Sequence, residues 1–361
     1  DVAGFFTKWQ IDLADAQSPR GAIPPTVPTT DSVGEGDGGP AWADAVVICP
    51  WTIYQAYGDR RLLERHYKSM AHFIEFLKED SRDLIRAYDG CPWAGFGDWL
   101  SINAETPRDL IGTAFFAYCA HLMSRIAAVL GKQADARAYK QLFEQVRAAF
   151  IKRFVTPTGV VAGQTQTAYI LALHFNLLPD ALRPAAIEEL VTDIKKRGMH
   201  LSAGFVGSPY IQHVLTESGH ADVAFELLFQ TSWPSWLYAV TQGATTIWER
   251  WDGWTHDKGF QDAGMNSFNH YAYGAVADWL FERVAGIDTD PAQPGYKHVL
   301  MRPCPTARLK HVKASYSSSY GAIESAWRWR GATWLWQVTI PPNTRATLHI
   351  PAARTARVLA D

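Results

Sequence analysis

Cysteine is scarce and unpatterned: 361 residues hold only Cys49, Cys91, Cys119 and Cys304. None forms a C-x-x-C pair and no histidine stands at zinc-ligand spacing, which excludes a metal knuckle and a dithiol redox motif. The twelve histidines are scattered and support no catalytic metal. Without a disulfide framework the thiols read as reduced and mostly buried, which favours a cytoplasmic compartment. Charge is also low: 19% of residues are charged and the net charge is -2, so there is no electrostatic case for nucleic acid or an anionic membrane. No run approaches the roughly 20 apolar residues of a membrane-spanning helix. There is no G-x-S-x-G elbow, no P-loop, no G-x-G-x-x-G after a strand and no H-E-x-x-H, so the usual cofactor and nucleophile signatures are missing. Neither an organic cofactor nor a metal is expected. The chain opens at Asp1 without a signal-peptide pattern, and Val2, Phe5, Phe6, Trp9 and Leu13 repeat at helical period with no N-cap before them. The natural polypeptide is therefore expected to begin upstream.

What is present is a large apolar fraction, 47%, in a chain longer than one hydrophobic core usually serves, which predicts one large and one smaller domain. Helical patterns run to about residue 285: 2–17, 43–57, 60–79, 108–130, 134–154, 165–175, 181–197, 208–217, 219–230 and 266–285. Segments apolar nearly all round, such as 43–57 and 165–175, alternate with segments carrying a charged face, such as 60–79 and 134–154. An inner ring of helices wrapped by an outer ring accounts for that alternation. The expectation is a mainly α protein, an (α/α)6 barrel incomplete at its N-terminus over residues 1–288. From about 289 to 361 the texture changes to short alternating runs with Gly and Pro at 321, 331 and 341–342, which predicts a small antiparallel β-sandwich.

The long connections at 18–42, 88–107, 199–207 and 231–265 hold much of the chemistry, and many of the fifteen tryptophans sit beside Gly, Pro, Asp or Asn there. Gly243-Ala-Thr-Thr-Ile-Trp-Glu-Arg-Trp-Asp-Gly253 sets Glu249 between Trp248 and Trp251, with His270 following in Ser267-Phe-Asn-His-Tyr-Ala-Tyr-Gly274. Pyranose rings offer apolar C–H faces to aromatic rings and hydroxyls to carboxylates, amides and imidazoles, so this mixture points to a carbohydrate site. Glycoside hydrolysis uses two carboxyl groups, one protonating the leaving oxygen and one acting as nucleophile or base. Glu249 is the first candidate; the alternative is a structural ion pair with Arg250 or a neighbour, and spacing does not decide between them. For His270 the alternative is a core histidine behind a helix-capping Asn269. Trp42 and Trp99 are candidate sugar walls, and Asp44 and Asp98 candidate hydroxyl acceptors, against the plainer roles of helix start for Asp44 and turn former for Asp98.

Seven stretches together resemble the bacterial α-L-rhamnosidases of glycoside hydrolase family 78. They are Asp1-Val-Ala-Gly-Phe-Phe-Thr-Lys-Trp, Gly39-Pro-Ala-Trp-Ala-Asp-Ala, Gly97-Asp-Trp-Leu, Thr106-Pro-Arg-Asp-Leu-Ile, Ser235-Trp-Leu-Tyr, Ala244-Thr-Thr-Ile-Trp-Glu-Arg-Trp and Ser267-Phe-Asn-His-Tyr-Ala-Tyr-Gly. The resemblance implies a six-hairpin barrel with a C-terminal β-domain, and release of terminal α-L-rhamnose with inversion. It implies Glu249 as the general base, with Trp42, Trp99, His270 and Trp251, and more weakly Asp44 and Asp98, at the sugar. The family's general acid lies in an Arg-Asp-Glu-Arg-Leu-Gly-Trp type motif that residues 1–361 do not contain, so a C-terminal fragment, weakly active or inactive alone, is expected. The expected partner is a rhamnosylated small molecule or oligosaccharide, and a homodimer is an open question. Two other readings stand beside this one: another inverting α/α-barrel glycosidase, and a carbohydrate-binding protein without catalysis.

Overall fold

The computed structural model describes residues 2–29 and 38–351, so part of the expected 18–42 loop and the last ten residues lie outside the description. Two compact units emerge: residues 1–51 with 61–275, and residues 52–60 with 276–361.

In the first unit the helices are α1 (Ala3–Asp15), α2 (Ala45–Tyr57, whose last turns belong to the second unit), α3 (Arg60–Glu79), α4 (Arg108–Val129), α5 (Gln133–Phe154), α6 (Gln166–His174), α7 (Arg183–Lys196), α8 (Ser208–Glu217), α9 (Ala221–Phe229) and α10 (Trp236–Thr241). Consecutive helices pack as pairs, α4 on α5, α6 on α7 and α8 on α9, while α4 also touches α6, and α6 touches α8. Composition explains which helix lies inside. α6 buries eight of its nine residues, Gln166 to Leu173, and α4 buries residues on every side, whereas α5 and α7 bury one stripe each. A helix apolar all round has no face to offer water, and each buried Leu, Ile or Phe contributes about 1.5–3 kcal/mol. α4 is long and apolar enough to cross a bilayer, yet 78% of its most apolar stretch is buried inside the protein. Local caps mark the starts: Thr165 accepts from the Ala168 N–H, and Ser235 from that of Tyr238.

Two details differ from the sequence reading. The segment 231–265 contains α10 and a small hairpin, β1 (Trp254–Thr255) with β2 (Gly259–Phe260). The last helical stretch starts at Ala272 rather than 266, and it is built of a 3-10 turn, the short α11 (Val276–Trp279) and a π-helical turn that ends at Gly286, in the left-handed region at φ 84°.

The second unit carries two three-stranded sheets. One has the order β3 (Ile287–Thr289), β4 (His298–Met301), β8 (Arg345–Leu348); the other is the meander β5 (His311–Ser318), β6 (Gly321–Arg330), β7 (Thr333–Thr339). Ile287, Val299, Met301 and Ile323 bury against Tyr316, Trp336 and Val338 to form the core between them. Pairing is antiparallel except that β4 and β8 run parallel, from His298↔Arg345 to Met301↔Leu348. The 43 residues between those two strands include the meander, a crossover long enough to bring β8 back in the same direction.

Candidate active site

The Glu249 segment is irregular backbone held by a second irregular segment running alongside. Arg250 Nε donates to the Met265 carbonyl (3.1 Å), the Glu249 N–H to the Ser267 carbonyl (2.8 Å), and the His270 N–H to the Ile247 carbonyl (2.9 Å). The Ser267 N–H in turn donates to Glu249 Oε2 at 2.8 Å. Glu249 is half-buried, and among the described residues it makes no ion pair with Arg250, whose Nε is taken by the Met265 carbonyl. Oε1 has no protein hydrogen bond among the described residues. The carboxylate is thus oriented through one oxygen and open through the other, the arrangement a positioned base requires.

His270 lies between two rings, Phe205 at 4.8 Å and Tyr271 at 5.7 Å, the latter nearly parallel. Its Nδ1 accepts the Ala272 N–H at 3.3 Å. A neutral ring that accepts at Nδ1 carries its proton on Nε2, which leaves Nε2 as a donor. His270, rather than Asn269, therefore meets the first N–H of the last helical stretch.

Trp42, Trp93 and Trp99 each meet Phe96 edge to face, at 4.9, 5.2 and 6.0 Å between centroids. Phe96 is the hub that gathers them, and no sequence motif singled it out. The backbone next to two of these tryptophans is strained: Ala41 sits at φ 71° and Leu100 at φ 58°. For non-glycine residues that region costs about 1–2 kcal/mol each. Such strain is concentrated at ligand sites. The shelf connects to the acid side by packing, since the Phe205 N–H donates to the Trp99 carbonyl (2.9 Å) and the Phe205 ring packs on His270. Trp42, Trp99 and His270 are therefore joined through Phe96 and Phe205, and the His270 N–H reaches the Glu249 segment at the Ile247 carbonyl. A concavity of about 330 Å³ opens beside Trp99, lined also by Asn103, Glu105 and Arg108; its lining includes none of Trp42, Glu249 or His270.

Three of the candidates, Asp44, Asp98 and Trp251, are buried. Asp44 is 0% exposed and its carboxylate takes Arg86 Nη1 on both oxygens (3.1 Å each), the Ala41 N–H (2.7 Å) and the Cys119 thiol (3.3 Å). Asp98 is buried and receives the Thr167 hydroxyl (2.5 Å) and the Gly204 and Val206 N–H groups (2.8 and 2.9 Å). Burial pushes its carboxyl up while these donors pull it down, burial being the larger effect. Both aspartates are thus committed to protein donors and secure the loops carrying Trp42 and Trp99. Trp251, 4% exposed, has its ring stacked on Tyr273 at 3.7 Å and edge-on to Trp236 at 5.5 Å, so most of its surface is taken up by the protein.

Against known proteins, the family model described as the bacterial α-L-rhamnosidase six-hairpin glycosidase domain matches residues 1–284, and that of the bacterial α-L-rhamnosidase C-terminal domain matches residues 286–360. An α-L-rhamnosidase of Streptomyces avermitilis is 44% identical over 358 residues, covering 99% of this chain and 34% of its own length; one from Formosa agariphila is 37% identical, covering 100% and 39%. This chain therefore spans about a third of the length of these curated relatives. Among solved structures, the Streptomyces avermitilis enzyme complexed with L-rhamnose superposes with a TM-score of 0.92 at 44% identity, over 97% of this chain and 33% of that one. The α-L-rhamnosidase of Aspergillus terreus gives 0.91 at 30% identity, over 98% and 42%. With two domain models matched in succession along a chain of helix pairs and paired β-sheets, the protein belongs to the bacterial α-L-rhamnosidase family.

Proposed function

We propose that this chain forms the catalytic barrel and C-terminal domain of an inverting α-L-rhamnosidase in which Glu249 is the general base. The observation that carries the reading is the asymmetry of its carboxylate, with Oε2 fixed by the Ser267 N–H and Oε1 uncommitted. In the proposed reaction Oε1 takes a proton from a water as that water attacks the anomeric carbon. The glycosidic oxygen leaves from the opposite face and takes a proton from an acid. Inversion requires room for the water, with the two carboxyl groups about 6.5–9.5 Å apart. None of residues 1–361 is assigned as the acid; on the family resemblance it comes from the Arg-Asp-Glu-Arg-Leu-Gly-Trp type motif ahead of the helix matching α1. Trp42 and Trp99 would face the apolar side of the rhamnose, and His270 Nε2 would donate to a hydroxyl. Asp44 and Asp98 would act through the loops they secure, without contact to the sugar. The rhamnose complex of the Streptomyces avermitilis relative supports the sugar assignment.

The test is p-nitrophenol release by the full-length protein from a panel of aryl glycosides, with the first-formed sugar anomer followed by NMR. Cleavage of the α-L-rhamnoside with β-L-rhamnose appearing first is expected. Cleavage confined to another glycoside, or α-L-rhamnose appearing first, would overturn the reading.

A further inference from the structure

The β5–β6–β7 meander has one face against the core, where Ile323, Ser325 and Trp327 are buried. Ser325 and Trp327 anchor that face by donating to the carbonyls of Ala285 and Val284. Side chains alternate across a strand, so the opposite face carries His311 and Lys313 of β5 with Arg328 and Arg330 of β6, all four exposed. The register makes them one cluster. His311 stands directly opposite Arg328, and Lys313 opposite Ala326, one diagonal step from Arg328. Directly opposed side chains have Cβ atoms about 4.5–5.5 Å apart, and diagonal neighbours about 7–8 Å. None of the four makes an ion pair among the described residues. Glu324 is the one carboxylate in the three strands; it stands on the same face, opposite Ser315 and Thr339 and one diagonal step from Lys313 on the side away from Arg328.

Concentrating like charge on a small sheet costs stability, and on this face Glu324, diagonal to Lys313, is the single opposing charge within the three strands. Beside Ala322, Ala326 and Leu335, the last directly opposite Arg328, the rest of the face is hydroxyl and amide: Ser315 and Ser317 continue β5 beyond Lys313, and Thr333, Gln337 and Thr339 line β7. Guanidinium groups take carboxylates in two-point hydrogen bonds, while a flat row of hydroxyls and amides suits the hydroxyl-rich surface of a sugar chain. We propose that the outer face of this meander is a binding surface for an acidic polysaccharide, a linear glycan bearing uronic carboxylates, distinct from the Glu249 site. Lys313, Arg328 and Arg330 would bind the carboxylates and the serine and threonine hydroxyls the intervening sugar. The interleaved hydroxyls argue for this occupant over nucleic acid.

Affinity electrophoresis of the full-length protein through gels containing polygalacturonate or neutral dextran tests this without any turnover, so its outcome is independent of the hydrolytic assignment. Retardation by polygalacturonate alone is expected, weakening on the order of tenfold as salt rises from about 50 to about 200 mM, as roughly three charge contacts imply. The Arg328→Gln/Arg330→Gln variant should lose at least about tenfold in affinity, and Lys313→Gln less, with p-nitrophenyl α-L-rhamnoside turnover unchanged in both. The single Lys313 change, remote from the core, serves if the double variant does not fold. Equal migration in the two gels, retardation by dextran, tighter capture of duplex DNA, or variants that bind like the parent would each overturn the proposal.

Discussion

Glu249 and Ser267, 18 residues apart, hold each other twice: the Glu249 N–H donates to the Ser267 carbonyl and the Ser267 N–H donates to Glu249 Oε2, both at 2.8 Å. The clasp fixes the backbone and one carboxylate oxygen together, so the direction of Oε1 follows from the chain fold. Glu249→Gln can retain the hydrogen bond from Ser267 through its amide oxygen but cannot accept a proton from water. It should therefore fold with an unchanged melting temperature and lose about 10²–10⁴ in kcat on an aryl α-L-rhamnoside. A variant with near-parental turnover would remove Glu249 from the reaction.

Gly204 lets the 199–207 loop press against the Trp99 loop. A Cβ built there would lie 2.2 Å from the Trp99 carbonyl oxygen and 2.7 Å from the Ser101 nitrogen, both backbone atoms with little room to move. Gly204→Ala should displace the loop, with a stability loss of about 1–3 kcal/mol as for other overpacked sites. It should raise KM for the rhamnoside more than it lowers kcat, because Trp99 would be moved while Glu249 stays clasped. Steady-state kinetics with thermal unfolding checks both, and parental KM would show that Trp99 does not face the sugar.

The α-helical part was legible because burial there follows local pattern: α4 and α6 are apolar on all sides and α3 on one, and each was visible as a helix. α10 and the β1–β2 hairpin, six residues and two-residue strands, are too short for periodicity to register. The parallel pairing of β4 with β8 depends on a 43-residue crossover that no local signal encodes. At the site, the aromatic and acidic residues could be found by composition, but not what holds them. Asp44 reaches Arg86 over 42 positions, and Asp98 reaches Thr167 over 69 and Gly204 over 106. Those contacts commit both carboxylates to protein donors in the loops that carry Trp42 and Trp99. What holds Trp251 is equally remote in sequence: its ring stacks on Tyr273, 22 positions away, and meets Trp236, 15 positions away, edge to face.

If Asp44 supports the fold and does not touch sugar, removing Arg86 should strand a buried carboxylate. Arg86 is 1% and Asp44 0% exposed, and loss of one partner of such a pair costs about 3–5 kcal/mol. Arg86→Met should lower stability by that amount, and Arg86→Met with Asp44→Asn should recover part of it, with KM for the rhamnoside near the parental value in whatever fraction stays folded. Denaturant unfolding of the two variants measures the coupling. A large KM change with little loss of stability would return Asp44 to the sugar.

The second unit should carry a pH signature of its own. Burial, reinforced by the carboxylates of Asp278 and Asp288, pushes Glu282 up from 4.5 to about 9. In the unfolded chain this group ionises near its ordinary value, while in the folded unit it holds its proton. A raised folded pKa means that the associated stability is fully present below pH about 4.5 and is progressively lost as pH rises towards about 9, because the unfolded state alone gains by releasing the proton. Glu282→Gln keeps the neutral shape and removes the titration. Its unfolding temperature should be flatter than the parent's between pH 5 and 9 in that direction, with the variant relatively more stable at pH 8 than at pH 5. A thermal series across that range decides it; parallel curves for the two proteins would mean that Glu282 is ionised in the folded state and that Arg283 and Arg302 outweigh its burial.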